Sequence, residues 1–157
     1  MKVIKSPQAF PKKVFKAYRT PSVFLAGSIE MGKAVDWQTR VTNELSEENV
    51  LILNPRRDDW DSSWEQKIEN AQFKQQVEWE LDALEYADWI LMYFDPSTKS
   101  PISLLELGLF AETGKLIVCC PEGFWRKGNV DIVCEKYGVP QVDSIEELIE
   151  NLIGELE

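Results

Sequence analysis

The sequence predicts a doubly wound α/β fold, a parallel five-stranded sheet of the flavodoxin or Rossmann type with helices on both faces. Two observations carry this. Short apolar runs alternate with longer segments of helical periodicity, so each strand-to-strand connection is a helical crossover. The strand runs are apolar almost throughout, as in strands covered on both faces, rather than at every second residue. Right-handed crossovers then complete the doubly wound arrangement.

Each element has its own local reason. Residues 22–26 form the first strand, stopped at Gly27-Ser28. Residues 36–47 form a helix with Trp37, Val41 and Leu45 on one face. Residues 50–53 are the second strand, ended by Asn54-Pro55, and a polar loop runs from Arg56 to Trp64. Residues 71–87 lack Gly and Pro and read as helix. Residues 89–94 are the third strand, stopped by Asp95-Pro96. Ser100-Pro101 then opens a helix with a hydroxyl N-cap and proline at the first helical position, and Gly114 ends it. Residues 116–120 are the fourth strand, 121–128 a loop, 130–137 a short helix and 139–142 a fifth, edge strand. Asp143-Ser144 starts the final helix. Residues 1–20, with Pro7 and Pro11, are expected to be a basic extension of loop with room for one extra strand or turn; residues 21–157 are expected to be the single domain.

Composition narrows the function. Hydrophobic content of 44% and charged content of 28% are ordinary for a globular domain. No apolar stretch approaches the length of a membrane span, and the N-terminal lysines are not followed by the apolar region of a secretory signal. A net charge of −10 argues against binding to nucleic-acid backbone. The first twenty residues carry six Lys/Arg and no acid, so the remainder is more acidic still, and the arm is expected to pair with that acidic body. Histidine is absent, which removes the commonest general base and metal ligand. Cys119, Cys120 and Cys134 form neither a disulfide framework nor a zinc spacing. Buried thiols, a cytoplasmic setting, no cofactor and no metal are expected. Proton transfers then fall to carboxylates, tyrosine, water or substrate.

Two carboxylates stand where apolar residues belong. Glu106 interrupts an almost continuous apolar run from residue 101 to residue 111. Glu80 falls within the apolar face of its helix, with Phe73, Val77, Leu84 and Ala87 around it and Gln76 at the edge. A bland reading exists for each. Ser103-x-x-Glu106 matches a capping box, and Glu80 could reach past the core edge to solvent or an arginine. Together they suggest a cleft in which one carboxylate is nucleophile or base and the other acid or orienter.

Weaker signals cluster at the predicted carboxyl ends of the strands, where ligands bind in such sheets. Gly27-Ser28-Ile-Glu-Met-Gly32 follows a strand and precedes a helix, but its spacing is neither a dinucleotide fingerprint nor a P-loop. Asn54, Arg56 and Arg57 could grip a phosphate or carboxylate, or the arginines could pair with Asp58, Asp59 and Asp61. Trp60 and Trp64 offer flat faces to a base or sugar, or fill a core. Residues 123–129, Gly-Phe-Trp-Arg-Lys-Gly-Asn, could form a lid or a subunit contact.

Six segments together resemble the nucleoside 2-deoxyribosyltransferase-like family. They are Val23-Phe-Leu-Ala-Gly-Ser-Ile29, Leu53-Asn-Pro-Arg-Arg57, Gln76-Val-Glu-Trp-Glu-Leu81, Ala87-Asp88, Ser100-Pro-Ile-Ser-Leu-Leu-Glu-Leu-Gly108 and Phe124-Trp-Arg-Lys-Gly-Asn129. The resemblance implies chemistry at an N-glycosidic bond. It makes the glutamate of Glu106-Leu-Gly108 the nucleophile that holds the sugar covalently. It makes Glu80, eight residues before Asp88, the second acidic residue. Asn129 would be the asparagine that often reaches a neighbouring subunit's site, which implies a homo-oligomer, a dimer or larger. The family usually carries an aspartate six residues before the nucleophile; Ser100 stands there in this chain.

The expected function is cleavage or exchange of the N-glycosidic bond of a (deoxy)nucleoside or nucleotide. Glu106 is the expected nucleophile, Glu80 its orienter, and Asp95 or a water the proton donor to the leaving base. Gly27, Ser28, Asn54, Arg56, Arg57, Trp60, Ser100, Ser103 and Asn129 are the expected substrate contacts. The alternative is a nucleotide-binding sensor or interaction module on the same fold, without turnover.

Overall fold

The computed structural model describes residues 1–10, 20–30 and 34–157. Four of the six basic residues of the N-terminal arm (Lys12, Lys13, Lys16 and Arg19) lie outside the described residues, as do Met31 and Gly32 of the first turn. The strands are β1 (Lys2–Lys5), β2 (Ser22–Gly27), β3 (Leu51–Asn54), β4 (Trp89–Tyr93), β5 (Leu116–Cys119) and β6 (Gln141–Val142). The described α-helices are α1 (Trp37–Glu44), α2 (Ala71–Tyr86), α3 (Pro101–Phe110), α4 (Lys127–Tyr137) and α5 (Ile145–Leu156). A 3₁₀ turn, Ala111–Thr113, extends α3 to Gly114.

All strands pair in parallel in the order β1-β3-β2-β4-β5-β6. The doubly wound architecture is therefore as expected, with one correction: the sheet has six strands, not five. The sixth is β1, whose Lys2, Val3, Ile4 and Lys5 align with Leu51, Ile52, Leu53 and Asn54 of β3. Its four residues, Lys-Val-Ile-Lys, hold only two apolar positions, which an edge strand tolerates, and it is the extra strand for which residues 1–20 had room.

Side-chain alternation divides the sheet into two faces. Phe24, Ala26, Leu53, Ile90, Met92 and Val118 point into one core with Trp79, Ala83 and Leu84 of α2, Leu107 of α3, and Val130 and Cys134 of α4. Val23, Leu25, Ile52, Leu91 and Ile117 point into the other with Trp37 and Val41 of α1, and Leu148, Ile149 and Leu152 of α5. Each large side chain so buried contributes roughly 1.5–3 kcal/mol of transfer free energy. Three side-chain caps fix helix starts. Asp36 accepts from the Thr39 amide at 3.1 Å, Asn70 from Phe73 at 2.9 Å, and Ser144 from Glu147 at 3.2 Å.

The two ends of the sheet differ in use. At the amino end, Asp88 Oδ2 accepts from both the Ser22 amide (2.8 Å) and hydroxyl (2.7 Å), which locks β2 against β4. The conspicuous Ala87-Asp88 pair is thus a strand clamp. At the carboxyl end the chain crosses from β3 on one side of β2 to β4 on the other. That switch in strand order opens the crevice where such sheets receive ligands.

Candidate functional site

Gly27 ends β2 with φ +125°, and any Cβ there would lie 2.2 Å from the Tyr93 carbonyl oxygen. Only glycine lets β2 and β4 approach so closely. Its role is therefore to bring the two loops of the crevice together. The next residue, Ser28, is buried, and its hydroxyl accepts from the Asp95 amide at 2.8 Å. The Ser28, Thr98 and Ser100 hydroxyl oxygens lie 2.6–2.9 Å from one another, all buried. This cluster joins the β2 loop to the loop that enters α3.

The start of α3 differs from the expected hydroxyl cap. Ser100 is left-handed (φ 44°), and its side chain makes no cap bond because it is spent in the hydroxyl cluster. The Glu30 carboxylate takes the capping task, accepting from the Lys99 amide at 3.1 Å and the Ser100 amide at 2.6 Å. A negative group there is favoured by the helix dipole. The helix begins at Pro101, so Ser103 stands at its third position, buried, and is no N-cap. The capping-box reading of Glu106 therefore fails.

Glu106 is only 8% exposed, and its Oε2 is buried with no hydrogen-bond partner among the described residues. An unpaired buried carboxylate oxygen is costly. Burial, then the nearby charge of Glu80, push its carboxyl well above the usual range. Glu80, on α2, is near enough for its charge to act on Glu106. It is half-buried, and burial raises its carboxyl to about 7 against a hydrogen bond from Gln76 that favours the charge. Both groups therefore hold a proton more tightly than exposed carboxyls do.

Helix α2 presents this carboxylate through a seam different from the expected one. Gln76, Trp79, Ala83 and Leu84 are buried, while Phe73, Val77 and Glu80 border them. Trp79 sets the rotation: its indole packs on Phe24 and Phe10 and donates to the Gln8 carbonyl at 2.8 Å. Gln76 Nε2 donates to the Pro55 carbonyl at 2.9 Å and to Glu80 Oε1 at 2.8 Å, while its Oε1 meets the Ser6 hydroxyl at 2.5 Å.

The remaining expected residues divide into engaged and open. Asp95 Oδ1 accepts from the Ser97 amide (2.9 Å) and hydroxyl (2.7 Å), and Oδ2 from the Val35 amide at 3.3 Å. Burial would raise its carboxyl, but these hydrogen bonds outweigh it and hold the group below the usual range. Such a carboxylate organises its loop and is ill suited to donate a proton. Asn54 accepts from the Arg56 amide at 2.9 Å and braces its turn. Arg56 is spent on Gln38 (3.1 Å) and the Ala34 carbonyl (3.2 Å), on the α1 side of the sheet. Arg57 forks onto Asp59 (2.8 and 3.2 Å), reaches Gln75, and lies over the Trp64 ring. Trp60 stacks edge-on against Trp64, with ring centroids 5.1 Å apart. Self-pairing thus wins for both arginines.

Asn129 is exposed on α4. It lines a largely apolar groove of about 340 Å³ between α3 and α4, with Leu104, Gly108, Trp125 and Arg126. Trp125 donates to the Lys99 carbonyl at 2.8 Å, tying the α4 loop to the entrance of α3. Burial raises Cys119 and Cys134 to about 12 and Cys120 to about 11, so these thiols are inert. Among the described residues no acidic or thiol cluster could hold a metal, and no helix is long and apolar enough to cross a membrane.

Sequence reasoning missed Ser6, Glu30 and Thr98, and gave Gln76 no role. Gln76 had a local signal, its i,i+4 spacing from Glu80. Ser6 and Glu30 meet the site only through long-range contacts.

Comparison with known proteins bears on family and fold. The sequence model described as nucleoside 2-deoxyribosyltransferase like matches residues 20–124. Among solved structures, a conserved protein from Enterococcus faecalis V583 superposes with a TM-score of 0.62 at 12% identity. The alignment covers 87% of this chain and 99% of that one, which shows the shared fold. No curated protein matches the chain.

Proposed function

The chain belongs to the nucleoside 2-deoxyribosyltransferase-like family, and from that premise we propose that it cleaves or exchanges the N-glycosidic bond of a (deoxy)nucleoside or nucleotide. The observation that carries the reading is the buried Glu106 carboxyl, whose Oε2 has no hydrogen-bond partner among the described residues and which lies within range of the Glu80 charge. Glu106 passes its proton to Glu80 and attacks C1′ as a carboxylate. The C1′–N bond breaks through an oxocarbenium-like transition state, which the negative charge stabilises. The departing base takes a proton from Glu80 or from water, since both Asp95 oxygens are already engaged. A second base (transfer) or water (hydrolysis) then attacks C1′ and releases Glu106.

The test is incubation with a panel of nucleosides and nucleotides, with free base followed by chromatography. Glu106→Gln is expected to fold normally, because Oε2 makes no hydrogen bond to lose. Its base release should fall by several orders of magnitude, roughly the cost of removing a covalent nucleophile. A 2-fluoro-deoxynucleoside should leave a protein-plus-sugar mass on the wild type alone. Full activity in the folded variant would refute the glycosyl-enzyme reading. A wild type that binds nucleotide but releases no base from any substrate would favour a non-catalytic nucleotide-binding module, the reading to which Ser100, in place of the family's acid, lends support.

The same reading includes a homo-oligomer. Helix α3 leaves Ile102, Leu105 and Leu109 more than half exposed at helical spacing, beside the groove that holds Asn129. Light scattering should give a dimer or larger, and Leu105→Lys should shift it toward monomer. A wild-type monomer at micromolar concentration would exclude this.

A further inference from the structure

Gln76 is buried inside α2 and makes three polar contacts, each reaching a different part of the chain. The Pro55 carbonyl can only accept, so the amide NH₂ must face it. That orientation leaves the second N–H for Glu80 Oε1 at 2.8 Å and turns the Gln76 carbonyl toward Ser6. The Ser6 hydroxyl, 2.5 Å away, can then donate and close the set. Ser6 is itself fixed, since its amide donates to the Asn54 carbonyl at 3.0 Å where β1 runs out beside β3. If the amide flipped, its carbonyl would oppose Glu80 Oε1, and two acceptors would meet unless Glu80 carried a proton there.

From this chain of contacts we infer that Gln76, locked in one orientation by Ser6 and the Pro55 carbonyl, is a positioning residue. It occupies Glu80 Oε1 and leaves Oε2 as the oxygen that exchanges a proton with Glu106. The inference rests on the proposed function and adds to it the device that sets the carboxylate pair. The exchange is balanced: the Glu106 carboxylic acid becomes the attacking carboxylate, and the Glu80 carboxylate becomes the acid. Glu80 Oε2 has no hydrogen bond among the described residues. Glu106 of α3 is the acidic group within range of the Glu80 charge, whereas Gln76, Pro55 and Ser6 carry no charge. The edge strand β1 thereby reaches the chemistry, because the residue after it holds the amide that holds Glu80.

The test uses the intact protein with ¹³C-labelled glutamate. The Glu80 side-chain carboxyl resonance, assigned by its loss in Glu80→Gln, is followed through pH. Gln76→Met keeps the volume and removes the donor. Its titration midpoint should rise by about one pH unit, as expected when a hydrogen bond to the charged form is lost. Ser6→Ala should move it the same way by a smaller step, about half a unit, because the amide is freed to flip. In base release, Gln76→Met should lower kcat about tenfold at neutral pH and move the acid limb of the profile upward with KM kept. A purely structural Gln76 would lower stability and leave the midpoint in place. An unchanged midpoint in folded Gln76→Met overturns the inference, and should that variant not fold, an unchanged midpoint in Ser6→Ala does so. A wild type that releases no base from any substrate would defeat the proposed function alone, because the resonance titration reads the free protein.

Discussion

Replacing Glu80 by glutamine should stabilise the protein, and by an amount that depends on pH. Burial raises the Glu80 carboxyl from 4.5 to about 7 in the folded chain. A raised folded pKa means that the native state holds the proton more tightly than the unfolded chain. Its contribution is fully present below 4.5 and is lost as pH rises through about 7. At about 1.4 kcal/mol per pKa unit, the loss amounts to roughly 3 kcal/mol. Glutamine carries no proton to lose, and its side-chain oxygen can still accept the Gln76 bond. Near pH 4.5 the two proteins should unfold at similar urea concentrations. At pH 8 the variant should be more stable by up to about 3 kcal/mol, or about 6–12 °C in melting temperature for a domain of this size. Relief of the repulsion with Glu106 acts in the same direction. The carboxyls held low, such as Asp36, Asp95 and Asp131, lose stability as pH falls toward their folded values, but equally in both proteins, so they cancel in the difference. The assay is urea unfolding of both proteins at pH 4.5, 6 and 8, with base release measured in parallel. A stability gap that does not change with pH, or a variant less stable at pH 8, would refute the argument that this carboxylate is buried at a cost.

Two glycines should respond oppositely to alanine. Gly27→Ala places a Cβ 2.2 Å from the Tyr93 carbonyl oxygen at a φ of +125° and should cost about 3 kcal/mol or more, read as a lower urea midpoint. Gly108→Ala has nothing within 4 Å and lies inside α3, so it should stabilise by about 0.5–1 kcal/mol; a loss of stability there would show a contact absent from the single chain.

The elements legible in the sequence are those decided by near neighbours. Strands β2 to β5 and helices α1, α2, α3 and α5 fall within a few residues of their expected bounds, because apolar runs, periodicity and Gly/Pro stops act locally. Helix α4 begins at Lys127 rather than residue 130, since Trp125 and Phe124 pin the chain just before it. The expectation that Glu106 and Glu80 sit at apolar positions arose from the same local logic, applied in reverse: each is a charge where periodicity calls for a core residue.

Sequence alone determined the doubly wound architecture and singled out two carboxylates, because period and turn chemistry are properties of a handful of consecutive residues. Tertiary structure alone decided what surrounds them. Ser6 meets Gln76 across 70 positions, and Ser28 meets Ser100 across 72. Asp95 and Arg56, open to ligand duty in the sequence, find distant partners in the Val35 amide and the Ala34 carbonyl. A polar group's role follows from which donors and acceptors lie within about 3 Å of it. No run of neighbouring residues encodes that distance; the sheet order does, by bringing the ends of β1, β2, β3 and β4 to one edge of the crevice.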